Sequence, residues 1–174
     1  KDGDGWKNGN VPKLIKGPDI FVKTIEILKS KIPELLILLT GPSRGYVKNE
    51  LSRIGVNFIH LEIPEYLELM KLYKSLDAYL ITSREEGGPR AIFESMACKI
   101  PLVTTNVGHA IDLISSEVNA FKVNDFNPEH LADFIFSKIY KKNDNLNEIL
   151  NSGYITALEN SYQKQEKLWK DFFN

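Results

Sequence analysis

The chain has 174 residues, with 22 Lys and Arg against 23 Asp and Glu, a net charge of -1, one cysteine and 43% hydrophobic residues. A chain of this length buries roughly 70% of its unfolded surface, which favours a single domain, 1–174. The near-neutral charge excludes a dedicated nucleic-acid binder, whose footprint is strongly basic. The lone cysteine excludes an intramolecular disulfide framework and a zinc site built on several thiolates.

No apolar run approaches the roughly 18 residues of a spanning helix. Lys1 to Asn10 is polar and Gly-rich, unlike a secretory signal. The expectation is a cytoplasmic protein, with peripheral attachment to the inner face of the membrane left open.

In chain order, residues 1–18 are Gly- and Pro-rich and read as a leading loop. Asp2-Gly3-Asp4-Gly5 has the look of a calcium loop, but Trp6 and Lys13 stand where an EF-hand needs oxygen ligands. From Asp19 the residues Ile20, Phe21, Thr24, Ile25 and Leu28 follow helical spacing. Leu35-Leu36-Ile37-Leu38-Leu39, stopped by Gly41-Pro42, suits a strand buried on both faces. The pattern then predicts a helix over Tyr46 to Arg53, a strand over Val56 to Ile59, a helix over Tyr66 to Leu76 and a strand over Ala78 to Ile81. Next come a helix over Pro89 to Lys99 with Pro89 at its first position, a strand over Leu102 to Thr104, a short helix over Ala110 to Ser115 and a strand over Phe121 to Val123. A helix over Pro128 to Tyr140 enters through Asn127, a good N-cap. The tail, 151–174, carries Tyr154, Leu158, Tyr162, Gln165, Trp169 and Phe172-Phe173 at steps of three and four, and reads as one long C-terminal helix, expected to pack on its own domain, with contact of its aromatic end to a partner domain as the alternative.

Short buried strands alternating with helices indicate an α/β, Rossmann-like parallel sheet with helices on both faces. Ligands of such folds bind beyond the carboxyl ends of the strands. Three loops lie there: Gly41 to Gly45, Ser83 to Pro89 and Thr105 to His109.

Ser83-Arg84-Glu85-Glu86-Gly87-Gly88-Pro89-Arg90 follows a strand and opens a helix. Its glycines let backbone approach a ligand, and the helix start favours an anion. Two carboxylates beside an anion site suit a phosphate joined to a polyol, because carboxylates accept hydrogen bonds from sugar hydroxyls. Glu94 lies about two turns into the helix, within reach of a second hydroxyl-bearing group such as a ribose. A capped surface helix with exposed acids accounts for the spacing equally well.

Glu86 and Glu94, with seven residues between them, resemble the E-x7-E signature of retaining glycosyltransferases of the GT-B fold, the family 4 or group 1 type. Lys16-Gly17-Pro18-Asp19 is similar to that family's Lys-Gly before its first helix. Leu36 to Pro42, Leu72-Tyr73 through Asp77, Glu94 to Cys98 with Pro101-Leu102-Val103, Val107-Gly108 with Asp112-Leu113-Ile114, and Asp125 to Ala132 resemble further family segments in order. The resemblance runs from about Lys16 to Tyr140 and is to the C-terminal, donor-binding half of such enzymes; the acceptor-binding domain is expected to be absent.

The resemblance implies transfer of a sugar from a UDP- or GDP-sugar to an acceptor hydroxyl, in polysaccharide or glycoconjugate biosynthesis. It implies that Glu86 holds the donor sugar and Lys16 pairs with the diphosphate, as the catalytic pair. Glu94 would take the ribose hydroxyls, Gly87, Gly88, Pro89 and Ala91 would line sugar and phosphate with their backbone, and Gly108 would approach the sugar. Backbone at Ile59 to Leu61 would meet the base. No metal or other cofactor is implied, and the acceptor, a glycan or lipid-linked glycan, would belong to the other half. The isolated domain would bind nucleotide and transfer nothing.

Departures from the family pattern are specific. Val11 stands where the family carries a diphosphate-binding Arg; either Lys13 or Lys1 takes its place, or the residue was lost upstream. Lys99 stands where a glycine ends the helix, and His109 where a second glycine stands. Arg90 either adds charge to the phosphate site or pairs with Glu94. Two other readings stay open: an epimerase-like enzyme of nucleotide sugars, and a nucleotide-binding module without catalysis. Cys98 reads as a small buried residue. His60, His109 and His130 have no metal-ligand spacing, and neither a G-x-G-x-x-G nor a P-loop motif occurs.

Overall fold

The computed structural model describes residues 9–62, 65–141 and 143–173. Asp2 to Gly5, Trp6 and Lys1 lie outside the described residues.

A single 3-10 turn, Leu14–Lys16, ends on Gly17 in the left-handed conformation, and helix α1 (Pro18–Lys31) follows at once. Pro18 opens α1, Asp19 sits in its first turn and Lys29 and Lys31 in its last, so charge and dipole agree at both ends. Strand β1 (Leu36–Thr40), helix α2 (Gly45–Arg53) and strand β2 (Asn57–Leu61) form one parallel unit, in register from Leu36 opposite Asn57 to Thr40 opposite Leu61. Helix α3 (Tyr66–Tyr73) leads to strand β3 (Tyr79–Ile81), helix α4 (Arg90–Ala97), strand β4 (Leu102–Thr105), helix α5 (His109–Leu113) and strand β5 (Phe121–Val123). These strands pair in parallel in the order β3-β4-β5.

The predicted single sheet is thus two parallel sheets, with β1 and β3 each at an edge. Apolar packing rather than a hydrogen-bond ladder joins them. Ile37 and Leu39 of β1 share one buried cluster with Val103 of β4, Phe121 and Val123 of β5, and Ile25 and Leu28 of α1. The opposite face of β3-β4-β5 carries a second cluster, in which Ile81 and Leu102 meet Ile92 and Met96 of α4 and Ala157. Leu102 and Val103 therefore point to opposite faces, as the two-residue period of a strand requires, and helices cover both. Burying side chains such as Phe121 and Leu28 is worth roughly 1.5–3 kcal/mol each.

Helix α6 (Pro128–Asp133) begins where Asn127 accepts a hydrogen bond from the Glu129 N–H, as expected of an N-cap. It then widens into a π-helical stretch over Phe134–Tyr140 rather than continuing as one α-helix. The predicted tail helix is two helices, α7 (Leu146–Glu159) and α8 (Tyr162–Phe173). Asn160 turns its side-chain amide back onto the Thr156 carbonyl, and the Ser161 hydroxyl starts the next helix by accepting from the Lys164 N–H, so the polar pair breaks the run. Helix α7 packs on α4, with Gly153 so close to the Asn119 carbonyl that a Cβ would stand 2.6 Å from it. Helix α8 leaves Tyr162, Leu168, Trp169, Phe172 and Phe173 exposed, against the expectation that the whole tail packs on its own domain.

Smaller differences have local causes. Helix α3 stops at Tyr73 rather than Leu76, and Pro89 is the extended residue before α4 instead of its first helical one. Lys99 ends α4 at φ 55, the left-handed position that glycine normally fills. Cys98 is half-buried at the α4 C-cap rather than fully buried, and burial pushes its thiol above the usual range.

Candidate functional site

The site is assembled at the carboxyl end of β3, where the segment around Lys16 is tied to the loop after the strand. Gly17, at φ 62, presses its Cα against the Thr82 carbonyl, and a Cβ there would overlap that oxygen. The Thr82 hydroxyl donates to the Gly17 carbonyl at 2.8 Å, and the Arg84 N–H donates to the Ile15 carbonyl at 2.8 Å. The Arg84 guanidinium donates to the Leu14 carbonyl at 2.6 Å and grips both oxygens of Asp19 at 2.8 and 2.6 Å. This bidentate pair lowers the Asp19 pKa, chiefly through the hydrogen bonds from Arg84. Thr105, at the end of β4, donates to the Ser83 carbonyl at 2.6 Å and fixes the loop from the other side.

These ties bring Lys16 and Glu86, 70 positions apart in the chain, into direct contact. Lys16 Nζ stands 2.5 Å from Glu86 Oε1, and the two side chains are only 30% and 19% exposed. The Ser83 hydroxyl donates to the same oxygen at 2.9 Å. Glu86 Oε1 thus has two donors.

Glu94 rises from the middle of α4 and accepts a hydrogen bond from the Tyr73 hydroxyl on Oε2 at 2.9 Å. Arg90 Nε lies 3.9 Å from Glu94 Oε1, with the Arg90 side chain 80% exposed, a loose pair on the solvent side. Tyr73 itself is buried and stacks on Tyr79, with ring centroids 5.1 Å apart. Burial raises the pKa of both phenols, so Tyr73 stays protonated.

The turn between these carboxylates is shaped by close backbone approach. Gly87 and Gly88 are exposed. Gly108, at φ 52, packs beneath the turn, and a Cβ on it would lie 2.8 Å from the Glu86 and Gly87 carbonyl oxygens. Gly108 therefore supports the turn from behind. His109, the departure noted in the sequence, lays its ring against Gly88 and tilts on Phe93 with centroids 5.3 Å apart. Pro89 and Ala91 are partly buried at the start of α4. Lys13 is exposed at the head of the 3-10 turn, and its carbonyl accepts from the Lys16 N–H at 2.8 Å. At the end of β2, Ile59 and Leu61 are exposed, and His60 Nε2 lies 2.7 Å from the Gly41 carbonyl.

Four residues of this neighbourhood carried no signal of their own in the sequence. Ser83 and Arg84 were parts of a motif without assigned roles, and Tyr73 was only a letter in a helix pattern. Asn106, in the loop after β4, has a buried side-chain oxygen with no hydrogen-bond partner among the described residues. An acceptor of this kind is satisfied by a hydroxyl or N–H brought by a ligand or water.

A cation in contact with one carboxylate, a second carboxylate on the adjoining helix and an exposed Gly-Gly turn can receive a ligand that bears both anionic and hydroxyl groups. Comparison with known proteins gives the family and the fold. Residues 10–154 match the model of the glycosyl transferases group 1 family. An uncharacterized glycosyltransferase of Methanocaldococcus jannaschii is 31% identical over 120 residues, which is 67% of this chain and 31% of that protein. The chain spans about a third of the length of the curated relatives it matches.

Two solved structures share the fold. The C-terminal domain of a group 1 glycosyl transferase from Francisella tularensis superposes with a TM-score of 0.72 at 21% identity, covering 85% of this chain and 80% of that one. Anabaena HepE in complex with UDP and glucose superposes with a TM-score of 0.77 at 20% identity, covering 91% of this chain and 45% of that one. The α/β architecture is that of GT-B glycosyltransferases. With its parallel sheets, its Lys16-Gly17 turn and its paired glutamates inside the matched span, the chain belongs to the glycosyl transferases group 1 family.

Proposed function

We propose that the chain is the donor-binding half of a retaining glycosyltransferase, taking a nucleoside diphosphate sugar and delivering a hexosyl group to an acceptor hydroxyl. The observation that carries this reading is the Lys16–Glu86 contact at 2.5 Å, at the foot of a Gly-Gly turn that opens a helix. Without donor, each side chain neutralises the other. With donor, Lys16 turns to the diphosphate, and Glu86, still held by Ser83, accepts hydrogen bonds from the sugar hydroxyls. Glu94 receives the ribose, and the backbone of Gly87 to Ala91 lies along phosphate and sugar. UDP in a structural neighbour supports a nucleotide-sugar donor.

Rate enhancement in this reading comes from charge placed where charge develops. As the bond between sugar and diphosphate breaks, negative charge grows on the leaving phosphate, and Lys16 together with the positive end of α4 stabilises it. Pro89 contributes shape and no donor, having no N–H. Glu86 positions the sugar; no metal or cofactor takes part in the step. The acceptor, a glycan or lipid-linked glycan of polysaccharide or glycoconjugate synthesis, is held by a separate domain, so the chain alone binds and does not transfer. The full enzyme in this reading works in the cytoplasm, with peripheral attachment to the inner face of the membrane left open. Among the described residues no helix is long and apolar enough to cross a membrane.

Calorimetric titration tests the reading. UDP or GDP is expected to bind, the corresponding nucleoside far more weakly, and Lys16→Ala to weaken the diphosphate by about tenfold or more while leaving the nucleoside unchanged. Failure of both diphosphates to bind the wild-type chain would overturn it.

A further inference from the structure

We propose that Tyr73 is a positioning residue for nucleotide recognition: its hydroxyl occupies one oxygen of Glu94 so that the other is presented to the ribose. The inference rests on the reading of Glu94 given above.

Four observations support it. Tyr73 is 4% exposed, and its O–H donates to Glu94 Oε2 at 2.9 Å. The ring is held in place by the stack on Tyr79, at an interplanar angle of 26°. Glu94 Oε1 keeps only a loose partner, Arg90 Nε at 3.9 Å, on a side chain that is 16% exposed. Helices α3 and α4 pack together, so the donor and the acceptor of this bond sit on elements that fix each other.

A glutamate with neither oxygen held samples several rotamers, and binding must select one. The phenol makes that selection before the ligand arrives, which is how preorganisation raises affinity. Burial also keeps the phenol protonated, so it acts only as a donor toward the carboxylate. If Tyr73 served packing alone, the stack on Tyr79 would need no hydroxyl. Phenylalanine preserves that stack and removes only the hydroxyl, which bonds Glu94 and also faces the Tyr79 hydroxyl.

The test compares UDP and GDP with their 2′,3′-dideoxy forms by calorimetry, on wild type, Tyr73→Phe, Glu94→Ala and the double variant. Wild type is expected to prefer the ribose form of the base it accepts by about tenfold or more, as hydrogen bonds to a charged group imply. Tyr73→Phe is expected to cut that preference to about threefold with dideoxy affinity within about twofold of wild type. Glu94→Ala is expected to abolish it, and the double variant to match Glu94→Ala.

The ratio within each variant is independent of the folded fraction, and a thermal melt of each checks the fold. A full wild-type preference in Tyr73→Phe, or equal loss of both ligand forms, overturns the positioning role while the ribose assignment stands, provided Glu94→Ala removes the preference. If Glu94→Ala keeps the preference, or wild type shows none, both the ribose assignment and this inference fall.

Discussion

Asp19 illustrates how the site is built from contacts between residues far apart in sequence. Both of its oxygens are held by Arg84, 65 positions away, and the pair spans the two segments that deliver Lys16 and Glu86. Because Arg84 lowers the Asp19 pKa, the contact contributes stability above the ordinary carboxylate pKa of about 3.9 and loses it as pH falls through the lowered folded value. Asp19→Asn is therefore expected to lower the melting temperature at pH 7, with the gap to wild type closing as pH drops below about 4. Melting curves over that range check it. The Lys-Gly turn and the two glutamates were legible in the sequence mainly through the family resemblance, since their spacing alone suits a capped surface helix equally well. The partners Ser83, Arg84 and Tyr73 were not, since polar side chains in a strand-end loop or on a helix look alike until folding chooses what they meet.

At the scale of elements, local chemistry decided starts and stops where side chain and backbone are neighbours. Asn127 caps α6 through the Glu129 N–H. Asn127→Ala is expected to cost about 1 kcal/mol, measured by equilibrium denaturation, with nucleotide affinity unchanged because the cap lies outside the site. Elsewhere periodicity misled. The apolar steps from Tyr154 to Phe173 run on through Asn160 and Ser161, but the backbone does not, because those side chains compete for the backbone bonds. The Pro128 to Tyr140 helix has the right residues but widens to the π form after Asp133. Leu131, Ile135 and Ile139 all remain in the core along it. The change is one of tertiary fit that a hydrophobic pattern does not encode.

For the whole molecule, the division between packed and unpacked apolar surface matters most. The two clusters beneath the sheets account for the core, whereas α8 carries Trp169, Phe172 and Phe173 at 59%, 77% and 75% exposure. Those rings contact one another, with Trp169 and Phe173 stacked at 6.0 Å between centroids. Replacing all three by alanine is expected to change unfolding free energy by less than about 1 kcal/mol in all, as at other exposed positions. Replacing Val103, which is wholly buried, by alanine is expected to cost about 2 kcal/mol or more. Parallel denaturation series on the two variants measure the contrast.

The sequence by itself determined the alternation of buried strands and helices, the loops at the strand ends, the Lys16-Gly17 turn and the spacing of Glu86 and Glu94. Each depends on the periodicity or turn chemistry of a few consecutive residues. Only the tertiary structure decided that the strands divide into two parallel sheets, that Lys16 rests on Glu86, that Tyr73 holds Glu94 and that the tail breaks and exposes its aromatic end. Those outcomes depend on which distant surfaces come within a few ångströms, through packing and hydrogen bonds that no short stretch of chain specifies.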